Sequence, residues 1–259
     1  MRYLILSDLH AGLEAFEACL RAADGRFDAV VCLGDVVGYG PDPNAVIDLL
    51  RRQISPIHAV GAVIRGNHDK ACCGIASADD FNLWAKAATY WTRSVLTEEH
   101  AGFLRELPLG PKVLPGFEIV HGSERDEDEY VMNASGAIPI LQAQQLQLVF
   151  FGHTHTQGGF FLGPQSLSRR IGAGSASNSF AGEGRVLSIH LEDETRYLIN
   201  PGSVGQPRDG NWRAAFAIYD DAGRQVDFYR AAYNLPKTQE KMARVGLPEP
   251  LIRRLEIGK

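Results

Sequence analysis

The chain has 259 residues, of which 45% are hydrophobic and 22% charged, and its 26 basic and 31 acidic residues give a formal net charge of −5. This balance excludes a disordered chain, which would be poorer in apolar residues and richer in charge. The mild acidity argues against unspecific binding to nucleic acids or anionic membranes, which favours a basic excess. The length predicts a single domain over residues 1–259 with a sizeable core.

No segment predicts export or membrane insertion. The apolar run at residues 1–6 is too short for a signal peptide, and Asp8 and His10 follow where a cleavage site would lie. No apolar run reaches the roughly 20 residues of a membrane-spanning helix. The four cysteines lack C-x-x-C spacing, which excludes a structural zinc site, and they are too few for a disulfide framework. We therefore expect a cytoplasmic protein.

The first third of the chain alternates strands with helices. Short apolar runs predict strands, and the helical spacing of Leu13, Phe16 and Leu20 predicts a helix. In chain order we expect a strand at Tyr3–Ser7, a helix at Leu13–Ala23, a strand at Asp28–Leu33, a helix at Pro43–Gln53 and a strand at His58–Ile64. This alternation indicates parallel pairing through right-handed crossovers.

The rest of the chain predicts an aromatic-rich helical insertion followed by many short strands. The insertion spans about residues 79–107, with Thr97 as an N-cap. Its aromatic rings are expected to pack in the core; the alternative is a wall or cap over the site, on which a nucleoside base would stack. Strands are expected at Phe117–Val120, Leu148–Phe151, Gly159–Leu162, Val186–His190, Arg196–Ile199, Ala214–Tyr219 and Val226–Arg230. Residues 172–184 predict a loop, and helices at Lys237–Val245 and Pro250–Leu255 close the chain within about residues 236–257. Together these predicted elements indicate two mixed sheets faced by helices.

Metal-competent side chains follow one predicted strand after another. Eight of them stand at the ends of five strands: Asp8, His10, Asp35, Asn67, His68, His121, His153 and His155. Ligands of open α/β sheets gather at the carboxyl ends of strands, so we expect these five segments to converge on one rim. The three remaining histidines, His58, His100 and His190, follow no such pattern.

The donor types indicate the class of metal. Imidazoles, carboxylates and an amide oxygen without thiolate suit manganese(II), iron or zinc better than an iron–sulfur cluster. Asp8 and His10, like His153 and His155, are two positions apart, which in an extended segment places both side chains on one face. Because one ion takes about four to six ligands, this set predicts two ions that share a carboxylate.

Five motifs in this order resemble the calcineurin-like metallophosphoesterases: D-L-H, G-D-V-V-G-Y-G, G-N-H-D, H-G and G-H-T-H, between residues 8 and 155. Residues 34–44 and 200–210 are also similar to a bacterial and archaeal subgroup variously labelled phosphodiesterase, protein phosphatase or dinucleoside-tetraphosphate hydrolase. The resemblance implies an α/β fold, a four-layer αββα sandwich with two mixed β-sheets.

The resemblance also implies a role for each residue. It assigns the first metal to Asp8, His10 and His155, the second to Asn67, His121 and His153, and the bridge between them to Asp35. His68 matches the catalytic histidine, which is not a ligand but steadies the phosphoryl oxygen and protonates the leaving oxygen. Two divalent ions are implied, manganese first, with iron, zinc or nickel as alternatives, and hydrolysis by attack of a metal-bridging hydroxide.

One position departs from the superfamily's serine/threonine phosphatases. They carry Asp-Arg where this chain has Gly38-Tyr39, so the carboxylate that supports the catalytic histidine and the arginine that grips phosphate are both missing. Arg125 and Arg208 are the candidates for the missing phosphate contact, together with Asn67, while Arg125 also belongs to a charged run. Residues 200–205 predict a structural turn near the rim.

The expected activity is hydrolysis of phosphate esters, with a phosphodiester or nucleotide-type substrate favoured over a phosphomonoester. A phosphatase for phosphoproteins or small metabolites is the alternative within the same chemistry. A scaffold like the retromer subunit on this fold is the alternative of another class, but the scaffold lacks the catalytic histidine that His68 supplies here. Neither a nucleic-acid surface nor a membrane partner is evident, and the oligomeric state stays open.

Overall fold

The strands form two six-stranded mixed sheets, each with three neighbouring parallel strands. The computed structural model describes residues 1–54, 62–164, 168–171 and 182–259. The first sheet has the order β3-β2-β1-β11-β12-β9, formed by Ala62–Val63, Ala29–Cys32, Arg2–Leu6, Ala214–Asp220, Gln225–Ala231 and Gly184–His190. In it β1, β2 and β3 pair in parallel, as predicted, and β11, β12 and β9 continue antiparallel.

The second sheet repeats this mixture. Its order is β4-β5-β6-β10-β7-β8, formed by Lys112–Leu114, Phe117–Ile119, Leu148–Phe150, Arg196–Asn200, Gly158–Leu162 and Ser168–Ile171. Strands β5, β6 and β10 are parallel, while β4, β7 and β8 pair antiparallel with their neighbours. Each sheet therefore presents the carboxyl ends of three parallel strands.

The two sheets pack face to face with helices outside. Tyr3 and Ile5 of the first sheet contact a core that includes Phe117 and Phe150 of the second. Leu4, between them on β1, points to the other face and packs with α1 (Leu13–Ala23) and α2 (Pro43–Gln53). Helix α6 (Ala134–Ala143) covers the outer face of the second sheet. These four layers confirm the expected αββα sandwich, and strands buried on both faces explain the unbroken apolar runs.

The predicted helical segment 79–107 contains two helices. They are α4 (Leu83–Val95) and α5 (Glu98–Glu106), separated by two residues. The side chain of Asn82 caps α4, and Thr97 caps α5 by accepting a hydrogen bond from the His100 backbone N–H. Helices α7 (Leu235–Arg244) and α8 (Glu249–Ile257) close the chain and pack against α4. None of the helices in the described ranges is long and apolar enough to cross a membrane.

Several expectations need correction. Helix α3 (Asn67–Cys72) begins inside the G-N-H-D motif, where no helix was expected, and α6 was not expected because Pro139 interrupts its pattern. Of the third strand only Ala62–Val63 is seen, since residues 55–61, including His58, lie outside the described residues. Most of the expected loop at 172–184 lies outside them too. The four cysteines are buried and unpaired.

Candidate metal centre

The carboxyl ends of five parallel strands carry the predicted donors. Asp8 and His10 follow β1, Asp35 follows β2, Asn67 follows β3, and His121 follows β5. The fifth segment, after β6, supplies His153 and His155. All seven side chains belong to buried residues. The expected convergence on one rim is therefore present.

One group of donors contains Asp8, His10, Asp35 and His155, whose ligand atoms all lie within 4.8 Å of one another. The Nε2 atoms of His10 and His155 are 3.1 Å apart, and His155 Nε2 lies 3.4 Å from Asp8 Oδ1. His10 Nε2 also lies 3.6 Å from Asp35 Oδ2. Two nitrogen and two carboxylate donors thus face one point.

A second group contains Asp35, His121 and His153, again with ligand atoms within 4.8 Å. His121 Nε2 lies 3.5 Å from Asp35 Oδ2 and 3.3 Å from the Oδ1 atom of Asn67. Asp35 is common to both groups, and its other oxygen, Oδ1, accepts a hydrogen bond of 2.8 Å from the His68 backbone N–H. The carboxylate is therefore held with Oδ2 between the two groups.

Backbone carbonyls fix the tautomer of three histidines. The Nδ1 atoms of His10, His121 and His155 lie 2.7–3.1 Å from the carbonyl oxygens of Val37, Leu33 and Gln206. A carbonyl only accepts, so Nδ1 carries a proton and donates it in each ring. Nε2 is therefore the atom directed into the cluster, where it offers a lone pair whenever the ring is neutral. This arrangement is typical of metal-bound imidazole.

The spacing of these donors had indicated extended segments. The structure shows turns instead. Asp8, His10, Asp35, His153 and His155 all have left-handed φ values, between 44° and 63°. Non-glycine residues rarely adopt this conformation, which costs on the order of 1–3 kcal/mol each and clusters at functional sites. The turns still bring Asp8 and His10 into one group, whereas His153 and His155 join different groups.

Unpaired buried atoms test whether a metal fits here. Both carboxylate oxygens of Asp8, Oδ2 of Asp35 and Nε2 of His153 are buried without a hydrogen-bond partner. Leaving such groups unsatisfied is costly, and native proteins rarely do so. Divalent cations in the two groups would satisfy these atoms, and the oxygen and nitrogen donors suit such ions. The residues therefore fit a divalent metal site.

The electrostatics of the cluster keep most of its donors available. Burial lowers the pKa of both His10 and His155 well below the usual value, so these rings are neutral. Burial raises the pKa of Asp35, but the neighbouring His121 and His68 outweigh it and hold that pKa well below its usual range. Burial likewise lowers the pKa of His121, but the charge and hydrogen bond of Asp35, together with the charge of Asp8 and the Leu33 carbonyl, outweigh it and raise that pKa to about 10. A cation would take over the role of that positive charge.

His68 lies beside the cluster but in neither group. Its ring centroid is 5.0 Å from that of His10, and the rings of Tyr39 and Phe81 lie 4.4 and 4.7 Å away. Its Nδ1 atom is buried without a partner, and burial lowers its pKa to about 4. The ring faces a cavity of about 340 Å³ that is also lined by Tyr39, Phe81, Tyr130 and His153. We call it the main cavity.

The two candidate arginines differ in their surroundings. Arg208 lies with its Cζ atom 5.7 Å from the Tyr39 ring, and its Nη2 donates to Gln206 Oε1 at 2.9 Å. Its Nε is buried without a partner, and in the part of the chain that is described no carboxylate pairs with it. The guanidinium of Arg125, in contrast, is 55% exposed and forms an ion pair with Glu129.

Some contributors were not expected from the motifs. The Tyr130 ring centroid lies 3.9 Å from that of His153. Phe81 packs against the apolar cluster shared by α4, α7 and α8, as expected, and also lines the main cavity. The expected structural turn at residues 200–205 proves to brace the donor loops. Asn200 Nδ2 donates to the Gly152 carbonyl oxygen at 2.8 Å, and Ser203 Oγ donates to the Asp8 carbonyl oxygen at 2.9 Å. The only feature of the sequence that pointed to this bracing role was the N-P-G-S run at residues 200–203, directly after a predicted strand.

Other known proteins are similar to this chain in fold, and some also in sequence. A metallophosphoesterase from Sphaerobacter thermophilus has 37% identity, with a TM-score of 0.81 over 100% of this chain and 99% of its own. A protein of Methanocaldococcus jannaschii, itself called uncharacterised, has 33% identity over 98% of this chain and 97% of its own length. A hypothetical protein from Pyrococcus horikoshii has 19% identity and a TM-score of 0.71 over 100% and 98%, which shows the fold alone.

The family model for calcineurin-like phosphoesterases matches residues 1–157, which contain every residue of the two donor groups. The expected metal-dependent phosphoric ester hydrolase is confirmed at the level of this family. The family match agrees with the His and Asp cluster and with the αββα sandwich. The chain therefore belongs to the calcineurin-like phosphoesterase family.

Proposed function

We propose that the protein is a dinuclear metal-dependent phosphoesterase. The first ion is assigned to Asp8, His10 and His155, the second to Asn67, His121 and His153, and the bridge to Asp35. The observation that supports this most is the position of Asp35, whose buried and unpaired Oδ2 lies 3.6 Å from His10 Nε2 and 3.5 Å from His121 Nε2. One carboxylate oxygen placed between two ligand groups is the arrangement that a shared metal bridge needs.

Manganese is the proposed metal, with iron, zinc or nickel as alternatives. Four histidines, two carboxylates and an amide oxygen form a mixed set of donors without thiolate. Such sets accept several first-row ions, and availability in the cell contributes to the selection. Ions bound here would lower the pKa of a water molecule and neutralise charge on the phosphoryl oxygens.

The chain's own residues position the ester. Arg208, which has an unpaired buried Nε and no carboxylate partner in the described ranges, is proposed to bind the phosphoryl oxygens in place of the arginine that Tyr39 replaces. His68 is proposed as the group that donates a proton to the leaving oxygen. Its pKa of about 4 reflects burial without substrate, and an anionic phosphoryl group beside the ring would raise that pKa and favour the protonated form.

The main cavity favours a phosphodiester or nucleotide-type substrate over a small monoester. Phe81 and Tyr130 add aromatic surface to a cavity of about 340 Å³, which has room beyond a phosphoryl group. A phosphomonoesterase remains the second candidate. A non-catalytic scaffold is disfavoured because His68 is buried beside the donor groups with an unpaired Nδ1. The cytoplasmic location stays a prediction.

The test is hydrolysis of bis-(p-nitrophenyl) phosphate and p-nitrophenyl phosphate by manganese-loaded protein and three variants. Asp35→Asn removes the proposed bridge and should abolish turnover, and His68→Ala should lower kcat by about 10²–10⁴-fold while both ions stay bound. Asp24→Asn makes the same change of charge at an exposed position and should leave kcat within about twofold. Unchanged turnover in both Asp35→Asn and His68→Ala would overturn the proposal. Faster cleavage of the monoester would favour the phosphomonoesterase.

A further inference from the structure

A second cavity adjoins the main one. It has a volume of about 510 Å³ and is lined by Asn82, Leu83, Trp84, Pro250, Arg254 and Lys259. Asn82 lines both cavities, so the second opens next to the space above His68. We call it the side cavity.

The surface of the side cavity is unusually apolar for an exposed position. Leu83 is 77% exposed and Trp84 is 46% exposed, although both are large apolar side chains in the first turn of α4. Neighbouring apolar side chains left open to solvent often mark a binding surface. An indole ring is also a suitable platform for stacking a planar ring.

A half-buried cation completes the side cavity. Arg254 of α8 lines it, and its Nε donates to the Lys259 carbonyl oxygen. Among the side chains that the structure describes, no Asp or Glu pairs with Arg254. Burial lowers the pKa of Arg254, and nearby Arg208 lowers it further. The positive charge of Arg208 thus acts on Arg254 beside a proposed phosphate site, and such a concentration of positive charge favours a bound anion.

The end of α8 is tied to the segment that carries Arg208. The Gly210 N–H donates to the Gly258 carbonyl oxygen at 3.0 Å. Arg208 is two residues before Gly210, and Arg254 is four residues before Gly258. This hydrogen bond joins the C-terminal end of α8 to the loop that carries Arg208, while Trp84 reaches the side cavity from α4.

We propose that the side cavity binds a nucleotide as the leaving group, with its base on Trp84 and Leu83 and its phosphate at Arg254. The inference rests on the proposed function, because it places the scissile bond between the phosphoryl group at the metal centre and this nucleotide. The two cavities together have the size of sites for ligands of that class.

The experiment measures binding without turnover. The full chain is saturated with manganese and titrated with a phosphonate analogue of AMP, whose C–P bond is not hydrolysed, and with adenosine. Binding is followed by calorimetry and by quenching of tryptophan fluorescence, since Trp84 is one of three tryptophans in the chain. The wild-type protein should bind the phosphonate at least ten times more tightly than adenosine, and Trp84→Phe should lose most of the quenching.

Matched variants separate the two contacts. Arg254→Gln should weaken phosphonate binding at least tenfold and leave adenosine binding within twofold, whereas Trp84→Ala should weaken both. Arg253→Gln changes the exposed neighbour that pairs with Glu249, and Tyr90→Ala removes a ring on α4 that is also 46% exposed but lines neither cavity. Both controls should bind as the wild type does.

The proposal is overturned if Arg254→Gln and Arg253→Gln bind the phosphonate equally well, or if Trp84→Ala matches Tyr90→Ala. These outcomes are independent of hydrolysis. A chain that binds the phosphonate through Arg254 and Trp84 but cleaves no ester contradicts the proposed function alone. A chain that cleaves esters but shows no Arg254 or Trp84 effect contradicts the side cavity alone.

Discussion

At the scale of single residues, the space around His68 is limited by a glycine. Gly38 has a φ of +89°, and a Cβ atom there would lie 2.7 Å from His68 Nδ1. The position that carries a carboxylate in the related serine/threonine phosphatases therefore has no room for a side chain here. Tyr39 and Phe81 hold the His68 ring by contact instead.

Gly38→Ala should displace His68 and lower kcat by about 10²-fold while metal binding is retained. Gly74→Ala is the matched control, because Gly74 has a φ of +87° but a Cβ atom added there would meet nothing within 4 Å. Both variants should lose about 1–2 kcal/mol of stability from the left-handed backbone. Steady-state kinetics and thermal unfolding of the pair give the comparison, and equal kcat values would contradict the role of the contact.

The two candidate arginines also separate at this scale. Arg208→Gln should lower kcat/KM for aryl phosphodiesters by about 10²-fold, since a charge-assisted contact to phosphate contributes about 1.5–3 kcal/mol. Arg125→Gln removes only an exposed ion pair with Glu129, so kcat/KM should stay within about twofold. Kinetics of the two variants side by side decide between them. A larger loss in Arg125→Gln would reverse the assignment.

At the scale of elements, a buried carboxylate ties α1 to α7. Glu14 of α1 accepts a hydrogen bond from Thr238 at 3.1 Å, and its Oε1 lies 2.6 Å from Lys241 Nζ and 3.1 Å from Lys237 Nζ. Lys241 also contacts Asp42 Oδ2 at 2.8 Å, just before α2 begins. Three helices thus share one network behind the donor loops.

Glu14→Gln should lower the free energy of unfolding by about 1–3 kcal/mol, because Lys241 loses a buried partner. Burial raises the pKa of Glu14, but Lys241 and Lys237 lower it more, so the folded-state pKa lies below the unfolded one. The stabilisation is therefore complete above the unfolded-state pKa and disappears as pH falls through the folded-state pKa. Urea unfolding at pH 7 and near pH 3, with exposed Glu17→Gln as control, should show a difference that shrinks in acid. A difference independent of pH would contradict the ion pairing.

The secondary-structure elements that could be predicted are those defined by a local sequence pattern. The bounds of α1 and α2 were predicted correctly, because helical periodicity and Pro43 at the first turn define them. Helix α3 was missed because it begins within the G-N-H-D motif, whose residues were interpreted only as metal donors and as the catalytic histidine. The donor turns were also read as extended, since left-handed φ at non-glycine residues such as Asp8 and His153 is imposed by the surrounding structure.

At the scale of the whole molecule, the identity of the metal donors was predictable from the sequence. The residues that surround and brace these donors were not. Residue type and position after a strand pointed to Asp35 and His121, because topology alone brings strand ends together. Tyr130, which helps to line the main cavity, comes from a loop whose path depends on packing across the sandwich. The hydrogen bond that Ser203 donates to the Asp8 carbonyl oxygen could not be predicted from the sequence either.

We propose that residues 1–259 form one domain, with the helical insertion and the closing helices as parts of it. The α4 helix packs against α7 and α8 through a shared apolar cluster, and the core between the sheets contains residues from both. Metal binding to the folded state alone would stabilise this unit, by mass action, at each increase in free metal concentration.

The most direct test of a dinuclear centre is a manganese titration of metal-free protein, with calorimetric stoichiometry and diester hydrolysis followed in the same samples. Two ions per chain are predicted, with hydrolysis reaching its plateau only when the second has bound, and Asp35→Asn should lose both the second ion and the activity. A plateau at one ion per chain, or full activity in Asp35→Asn, would contradict the shared-carboxylate centre.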